Sequence, residues 1–423
     1  MPDQRSLPLW AGRTLALVGI LLVALNLRTA VAAISPIADQ ISVDIPLSSV
    51  AFGVLGSLPP IAFALSGIIA PLVARRIGVD GSIALAAAAM VIGNVVRGLA
   101  DSYTVLLLGS VIALAGMGFG NILLPPAVKR YFPDRVGLVT TAYVTLLSIS
   151  TAGPAVLAAP VADTAGWQVS LGMWAIVAFA ALVPWIFLLL RDRAARAASV
   201  RTATASADGD AEPIDDIVEA PEPAMLGHLL RSRVAWALAI AFAASSLNAY
   251  AAFAWLPALL RDISGVDAVS AGLLLAIYGL VGLPTALVMP ILASKLNNVG
   301  PLFYLAVGCY VAGYLGFLLA PAAAPLLWVI LVGLGPLLFP VCLVLINLRT
   351  RSHHTSIALS GFVQGIGYTM GSLGPLLVGL LHDASGGWTV PLLFLLCTGL
   401  VATVSGLLMT KPVFVEDEIA RRA

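Results

Sequence analysis

The chain contains twelve predominantly apolar runs, each near the length of about 20 residues that a helix needs to cross the hydrocarbon core of a bilayer. The runs lie at residues 13–35, 48–74, 82–100, 104–128, 137–161, 168–190, 233–260, 269–294, 301–320, 324–347, 356–382 and 388–410. Inside a bilayer the backbone polar groups must be hydrogen-bonded within the protein, so apolar runs of this length become helices. The sequence therefore predicts an all-α membrane protein with twelve transmembrane helices.

The composition excludes several other classes of protein. Charged residues make up 10% of the 423 residues, against about 25% in soluble domains. The net charge of +1 argues against a nucleic-acid partner. All three cysteines lie within apolar runs, so we predict neither a disulfide nor a metal site nor a bound cofactor. Clustered His, Asp and Glu residues that would indicate a membrane-embedded enzyme are not found, and we expect a non-enzymatic function.

The positions of the basic residues predict how the helices are oriented. If the N-terminus is cytoplasmic, every Lys and Arg except Arg28, Arg97 and Arg261 lies in a cytoplasmic connection or tail. Basic residues are enriched in cytoplasmic loops, so both termini are predicted to be cytoplasmic. We expect the first apolar run to be a membrane helix and not a cleaved signal peptide.

The runs divide into two groups of six, separated by a segment of different composition. Residues 191–232 contain Arg/Ala repeats followed by an acidic, Pro-containing stretch at 208–222. Such a segment cannot bury enough apolar surface to fold, and we expect a flexible cytoplasmic linker. The predicted organisation is a six-helix half at 1–190, the linker at 191–232 and a second six-helix half at 233–423.

The two halves carry matching residues at an offset of about 221 positions. The matches are Leu25-Asn26 with Leu247-Asn248, Gly153-Pro154 with Gly374-Pro375, and Trp167 with Trp388. Several matches at one offset indicate a duplicated six-helix unit. Because six is even, both copies enter the membrane in the same direction and are related by an axis along the membrane normal. In membrane transporters that are built from two such repeats, the substrate site lies near the bilayer midplane between the halves.

Arg28 stands in the middle of the first apolar run, where a guanidinium remains charged. Placing it at bilayer depth costs roughly 2.5–3.5 kcal/mol on insertion scales, so an intramembrane charge of this kind predicts a functional site. All five Glu residues lie in the linker or the C-terminal tail, and the Asp residues lie in loops, the linker or at helix ends. Arg28 therefore has no predicted counter-ion at its depth. A cavity with one uncompensated cation is suited to an anion.

The repeat indicates which other polar residues share the cavity with Arg28. Asn26 is repeated as Asn248, whereas Arg28 is replaced by Tyr250. On a regular helix Asn26 and Arg28 lie about 200° apart and cannot face one cavity. We therefore predict that Arg28 and Tyr250 face each other across the pseudo-axis, while the two asparagines serve either binding or interhelical hydrogen bonding.

Further neutral donors complete the predicted binding shell. The offset places Tyr143 opposite Gln364, and Tyr368 follows Gln364 by one helical turn. Asn121 lies in a Gly-rich stretch ahead of two prolines. For each of these residues a helix-helix hydrogen bond is the alternative role. The full predicted substrate-binding set is Arg28, Tyr250, Tyr143, Gln364, Tyr368, Asn121, Asn26 and Asn248.

Three motifs carry a resemblance to a known family. They are Asn26-Leu27-Arg28, the stretch Gly120-Asn-Ile-Leu-Leu-Pro-Pro126 with Lys129-Arg-Tyr-Phe-Pro133, and Gln364-Gly-Ile-Gly-Tyr368 with Gly374-Pro375 and His382-Asp383. Together they resemble the cyanate-porter branch of the major facilitator superfamily, which includes cyanate and 2-nitroimidazole transporters. The resemblance covers all twelve helices. It implies a major facilitator fold and secondary transport of a small anionic or weakly acidic solute across the bacterial inner membrane by alternating access.

The sequence also departs from the superfamily pattern. Arg75 stands where the loop between the second and third helices usually carries an Asp, so the usual charge contact is expected to differ or be absent. Without a carboxylate relay, uniport, exchange and proton symport linked to the substrate all stay open. We expect a monomer surrounded by lipid. The alternative function with the same fold is export of neutral or weakly acidic drugs such as nitroimidazoles.

Overall fold

The computed structural model describes residues 13–203 and 227–420. Within these residues the backbone forms twelve membrane-length helical segments and one short helix. They are α1 (Thr14–Asp44), α2 (49–77), α3 (79–98), α4 (Tyr103–Tyr131), α5 (Val136–Ala165), α6 (Trp167–Gly172 and Trp174–Ala203), α7 (Arg233–Ser264), α8 (Ala268–Lys295), α9 (Gly300–Leu319), α10 (Pro325–Leu348), α11 (His353–Ser385), α12 (Thr389–Leu408) and α13 (Val415–Ala420).

The predicted helices are confirmed. In the described residues ten stretches are long and apolar enough to span a membrane, and one of them, Ser49–Gly98, contains both α2 and α3. The remaining segment, α11, has 33 residues and is long enough to span as well. The division into 1–190, a linker and 233–423 stays a prediction, because residues 204–226 lie outside the described residues. The backbone of α6 remains helical to Ala203, beyond the predicted boundary at 190.

A single glycine separates α2 from α3. Gly78 has φ 77°, a left-handed conformation that favours glycine, and an added Cβ would meet no atom within 4 Å. Two residues later, the buried Asp80 accepts a hydrogen bond from the Tyr131 hydroxyl at 2.8 Å and lies 3.2 Å from Arg130. This connection thus has a charge contact of its own, between Asp80 and Arg130, and Arg75 stands at the position of the usual acidic residue.

The internal repeat reappears as a repeated hydrogen bond. The indole N–H of Trp167 donates to Asp44 at 2.7 Å, joining the start of α6 to the end of α1. In the second half, Trp388 donates to Asp262 at 2.8 Å and joins the start of α12 to the end of α7. The same contact at equivalent places supports the duplicated six-helix unit.

The two halves pack closely at one end of the molecule. We call the end at which α1 begins the proximal end and the end at which α1 finishes the distal end. At the distal end a Cβ added to Gly53 of α2 would lie 3.0 Å from the Cα of Leu376 in α11. Nearby, the rings of Phe52 and Trp255 meet edge to face with centroids 5.0 Å apart. Only glycine allows the backbones to approach so closely.

Toward the proximal end the same contact helices leave space around their glycines. No atom lies within 4 Å of an added Cβ at the following positions of α2, α5, α8 and α11: Gly67, Gly137, Gly282 and Gly365. At the distal end of α8, by contrast, Gly272 is in direct contact with the backbone oxygen of Ala155 in α5. The described halves are thus in tight contact distally, and no such contact is made at these four proximal glycines.

The short helix α13 fastens the end of the described chain to the second half. The Glu416 carboxylate accepts hydrogen bonds from the backbone N–H groups of Arg351 at 2.8 Å and Ser352 at 3.1 Å, just ahead of α11. The Glu418 carboxylate accepts from the Ser232 hydroxyl at 2.6 Å and from the Val234 N–H at 3.3 Å, at the start of α7. Carboxylates at helix N-termini satisfy free N–H groups and interact favourably with the helix dipole.

Candidate substrate-binding site

The first helix is interrupted where Arg28 stands. Regular helix ends at Ala24, resumes over Thr29–Ala32 and then tightens into a 3-10 turn at Ser35–Ile37. Arg28 itself has φ −129° and ψ 0°, outside the helical range. Irregular backbone at membrane depth is tolerated where it is buried in protein or lines a cavity, and transporters use broken helices to build substrate sites. The break therefore puts Arg28 at a position suited to binding.

Arg28 is half-buried, and none of the described residues acts as its counter-ion. Its guanidinium carbon lies 4.8 Å from the ring centroid of Phe63 in α2, a cation–π contact. Its Nη1 atom is buried without a hydrogen-bond partner. No carboxylate within residues 13–203 and 227–420 forms an ion pair with it. The guanidinium thus retains both unneutralised charge and an unused donor.

Two phenols of the second half face this guanidinium. Tyr250 of α7 lies close enough to Arg28 to interact with it electrostatically. Tyr368 of α11 interacts electrostatically with Arg28 and with Tyr250, and its ring meets Phe242 edge to face at 5.3 Å. Both tyrosines are buried, each with 8% of its surface exposed. The structure therefore brings Arg28, Tyr250 and Tyr368 together from opposite halves.

A cavity lies on the distal side of this cluster. Segments of α1, α2, α4 and α7 line it, and Tyr250 belongs to its wall. Its other polar side chains are Ser35 and Ser110, whereas the remaining lining residues are apolar. Apolar walls with a few polar groups are typical of small-molecule sites.

Three other residues of the predicted shell form no recorded hydrogen bond with this cluster in the described part of the chain. Tyr143 is half-buried on α5, and Asn121 is half-buried on α4. The Gln364 amide donates to the Ser360 hydroxyl of its own helix at 2.7 Å. Among the described residues, no hydrogen bond or ion pair joins any of the three to Arg28. Their part in binding stays a prediction.

The two asparagines connect helices. The Asn26 amide donates to the Leu22 carbonyl at 2.8 Å and to the Val177 carbonyl of α6 at 3.2 Å. The Asn248 amide donates to Thr398 of α12 at 3.1 Å and accepts from the Tyr314 hydroxyl of α9 at 2.7 Å. Both side chains are fully buried. Of the two roles considered for them, these contacts favour interhelical packing.

Two residues near the site were not singled out for it by the sequence. Phe63 provides the aromatic face against Arg28, and nothing in its local sequence distinguishes it from a packing residue. Arg97 of α3 is fully buried and donates to the Ala30 carbonyl, two residues after Arg28. The sequence does mark Arg97 in one way, since it is one of the three basic residues that lie outside the predicted cytoplasmic segments. Its burial could only be found from the packing of α3 against α1 and α4.

Comparisons with known proteins agree with this architecture. Residues 16–372 match the model of the Major Facilitator Superfamily. The 2-nitroimidazole transporter of Escherichia coli K12 is 31% identical over 401 residues, which are 93% of this chain and 95% of that protein. The cyanate transport protein CynX of the same organism is 27% identical over 378 residues, covering 88% of this chain and 91% of the relative.

A solved transporter structure shows the same fold. The crystal structure of a bacterial homologue of the human lysosomal transporter Spinster, in an inward-facing and unoccupied conformation, superposes with a TM-score of 0.67. The alignment covers 97% of this chain and 96% of that chain at 17% identity. Two pseudo-symmetric six-helix halves are therefore shared with it.

Proposed function

Because the chain belongs to the Major Facilitator Superfamily, we propose that it moves a small anion or weak acid across the bacterial cytoplasmic membrane, with Arg28 binding the anionic group. The chain is a multi-pass membrane transporter and not an enzyme, as its relatives are transporters.

The observation that carries the proposal is the buried, unpartnered Nη1 of Arg28. A guanidinium donates several N–H bonds in a planar arrangement that matches a carboxylate or another small oxyanion. Bonds between charged partners are stronger than neutral ones, and more so away from water. The hydroxyl groups of Tyr250 and Tyr368 can rotate toward the same anion, which adds donors from the second half.

The named relatives support a solute of this size. The cyanate of one relative is a small linear anion, and the 2-nitroimidazole of the other is a small planar ring with polar substituents. We propose that the transported solute enters the space between Arg28 and the two phenols.

The packing of the halves supports alternating access. With both termini in the cytoplasm, as the basic residues predict, the proximal end is the cytoplasmic end. The tight distal contacts then close the site from the outside, and the proximal glycines that lack such contacts belong to the cytoplasmic side. Rocking of one six-helix half against the other would exchange these two ends. A monomer contains both halves and is sufficient for this motion.

Transport by reconstituted protein tests the role of Arg28. Uptake of radiolabelled cyanate, nitrate and small carboxylates into proteoliposomes is compared for the unaltered protein, Arg28→Gln and Arg76→Gln. Arg76 is exposed at the proximal end of α2 and serves as the matched loss of one positive charge. We expect Arg28→Gln to lose uptake at least tenfold and Arg76→Gln to retain it. Equal rates for all three proteins would remove Arg28 from the site.

A second candidate is export of neutral or weakly acidic drugs. It is favoured by the aromatic surroundings of Arg28, where Phe63, Tyr250 and Tyr368 could contact a flat ring, and by the 2-nitroimidazole relative. Growth of an expressing strain on a panel of nitroimidazoles separates the two candidates. An exporter raises the tolerated concentration, whereas an importer lowers it or leaves it unchanged.

A further inference from the structure

Arg97 is a second intramembrane arginine, and its charge is more deeply buried than that of Arg28. It lies near the distal end of α3 and has no exposed surface. Its only hydrogen bonds in the described residues run from Nη1 to the Asn94 amide oxygen and from Nη2 to the Ala30 carbonyl, each at 3.3 Å. Both acceptors are neutral, and no carboxylate of the described residues pairs with it.

A guanidinium in these surroundings is under-compensated. It remains charged under physiological conditions, and a buried charge is stable only when it is paired and well hydrogen-bonded. Two bonds at 3.3 Å are at the long end of the hydrogen-bonding range and leave the charge itself unneutralised. The described residues around Arg97 therefore supply fewer hydrogen bonds and less negative charge than a buried cation requires.

The unused polar side-chain atoms of Arg97, Asn94 and Ser35 can all donate hydrogen bonds. Arg97 Nε and Asn94 Nδ2 are both buried without a partner. Since the Asn94 oxygen already faces the guanidinium, its amide nitrogen is left as the free group. Residues 94 and 97 are three apart, and so they lie on the same face of α3. The Ser35 hydroxyl, on the segment of α1 that follows Ala30, is also buried without a partner.

The cavity already described borders this region. Ala30, Ser35 and Ser110 belong to the cavity wall. Ala30 is bonded to Arg97, and Gly109 of α4 packs on the arginine so closely that an added Cβ would lie 2.9 Å from Arg97 Cγ. Arg97 thus lies directly behind the wall formed by α1 and α4.

We propose that Arg97 and Asn94, with Ser35 as a further donor, bind a small inorganic anion of the size of chloride. Several donors around one uncompensated cation match an anion, which would neutralise the guanidinium as a neutral water molecule cannot. This site is separate from the transport site at Arg28, since it lies within the first half and involves neither Tyr250 nor Tyr368. The anion remains bound and is not transported, and it stabilises the packing of α1, α3 and α4.

Bromide-dependent thermal stability tests the proposal. The purified full chain in detergent is titrated with sodium bromide against sodium gluconate at constant ionic strength. A ligand that binds only the folded protein raises the melting temperature, and we expect a rise of roughly 2 °C or more at saturating bromide. The rise should persist in Arg28→Gln and disappear in Arg97→Gln. If Arg97→Gln melts lower but keeps the bromide-dependent rise, Arg97 is only a packing residue and the proposal is overturned.

Two further measurements cover the case in which Arg97→Gln does not fold. Asn94→Ala keeps the guanidinium and removes one donor, and we expect its bromide midpoint to rise several-fold. An unchanged midpoint contradicts the site. Crystals grown in bromide should show an anomalous peak within hydrogen-bonding distance of Arg97 Nε, whereas peaks found only elsewhere overturn the proposal. Loss of the bromide effect in Arg28→Gln alone would instead place the anion at the transport site.

Discussion

Arg261 at the end of α7 forms an ion pair with Asp39 in the last part of α1, with 2.7 Å between Nη1 and Oδ2. The two residues belong to different halves, and the pair lies at the distal end, where Gly53 and Gly272 let the helices approach. It is a contact that must separate whenever the halves part at this end. The Asp39 side chain is 74% exposed, which limits the strength of the pair.

We expect Asp39→Asn to shift the molecule toward the distally open state. An exposed pair of this kind contributes up to about 1 kcal/mol, which corresponds to a change of about fivefold in the ratio of the two states. Spin labels at Val43 and Leu319, in a background without native cysteines, would report the change as a larger population of long distances. Gln40→Ala is the matched control, because Gln40 bonds to Asp163 within its own half. A distance distribution unaffected by Asp39→Asn would show that the pair does not hold the distal end closed.

Removal of the Tyr250 hydroxyl tests the contribution of the second six-helix half to the proposed anion site. In Tyr250→Phe the ring remains in place, but Arg28 loses its phenolic partner and the solute loses a donor. One such hydrogen bond contributes about 1 kcal/mol, so we expect KM for the transported anion to rise about fivefold. Initial uptake rates over a range of concentrations provide the measurement. The control is Tyr304→Phe, a tyrosine on α9 that is 39% exposed. Identical kinetics for both variants would exclude Tyr250 from binding.

Asn248→Ala should affect stability and leave binding unchanged. The substitution removes the acceptor of the Tyr314 hydroxyl and the donor to Thr398, at a contact of three helices where Asn248 itself is fully buried. Interhelical hydrogen bonds in membrane proteins contribute roughly 0.6–1.7 kcal/mol each, so a loss of about 1–2 kcal/mol is expected. Thermal unfolding in detergent measures it, and Thr398→Val should reproduce part of the effect. A raised KM with an unchanged melting temperature would instead show that Asn248 takes part in substrate binding.

Acidification should release α13. Burial tends to raise the pKa of Glu416, but hydrogen bonds from the backbone N–H groups of Arg351 and Ser352 hold the pKa below its usual value. A carboxyl whose pKa is lowered by folding stabilises the folded state above its ordinary pKa, and this stabilisation is lost as pH falls through the lowered value. Hydrogen exchange of residues 415–420 should therefore accelerate below about pH 4.5 in the unaltered protein, near the ordinary pKa of a Glu side chain. In Glu416→Gln fast exchange is expected at neutral pH as well. Slow exchange in that variant would mean that Glu416 does not hold the helix.

The features that could be predicted from the sequence depend on local composition or on the repeat. The helices follow from apolar runs of membrane length, and the opposition of Arg28 and Tyr250 follows from comparing the two halves. The partners of Trp167 and Trp388 were not foreseen, because Asp44 and Asp262 are distant in sequence and the acids nearest in sequence are Asp163 and Asp383. These contacts depend on how helices pack.

The interruption of α1 is a second feature that could not be predicted from the sequence. Residues 25–28 contain neither glycine nor proline, and their apolar neighbours are typical of continuous helix. The 200° separation of Asn26 and Arg28 was calculated for a regular helix, yet the two side chains still diverge, since Asn26 bonds to α6. Arg97 partly satisfies the backbone near the break, because its guanidinium donates to the Ala30 carbonyl, 67 positions away in the chain.

The attachment of α13 has a consequence for handling the molecule. Glu418 holds the beginning of the helix that carries Tyr250, and Glu416 holds the beginning of the helix that carries Tyr368. A reporter protein, an affinity tag or a protease cut placed just ahead of position 415 would thus disturb the supports of both phenols at once. Fusions made at the opposite terminus keep that anchorage intact.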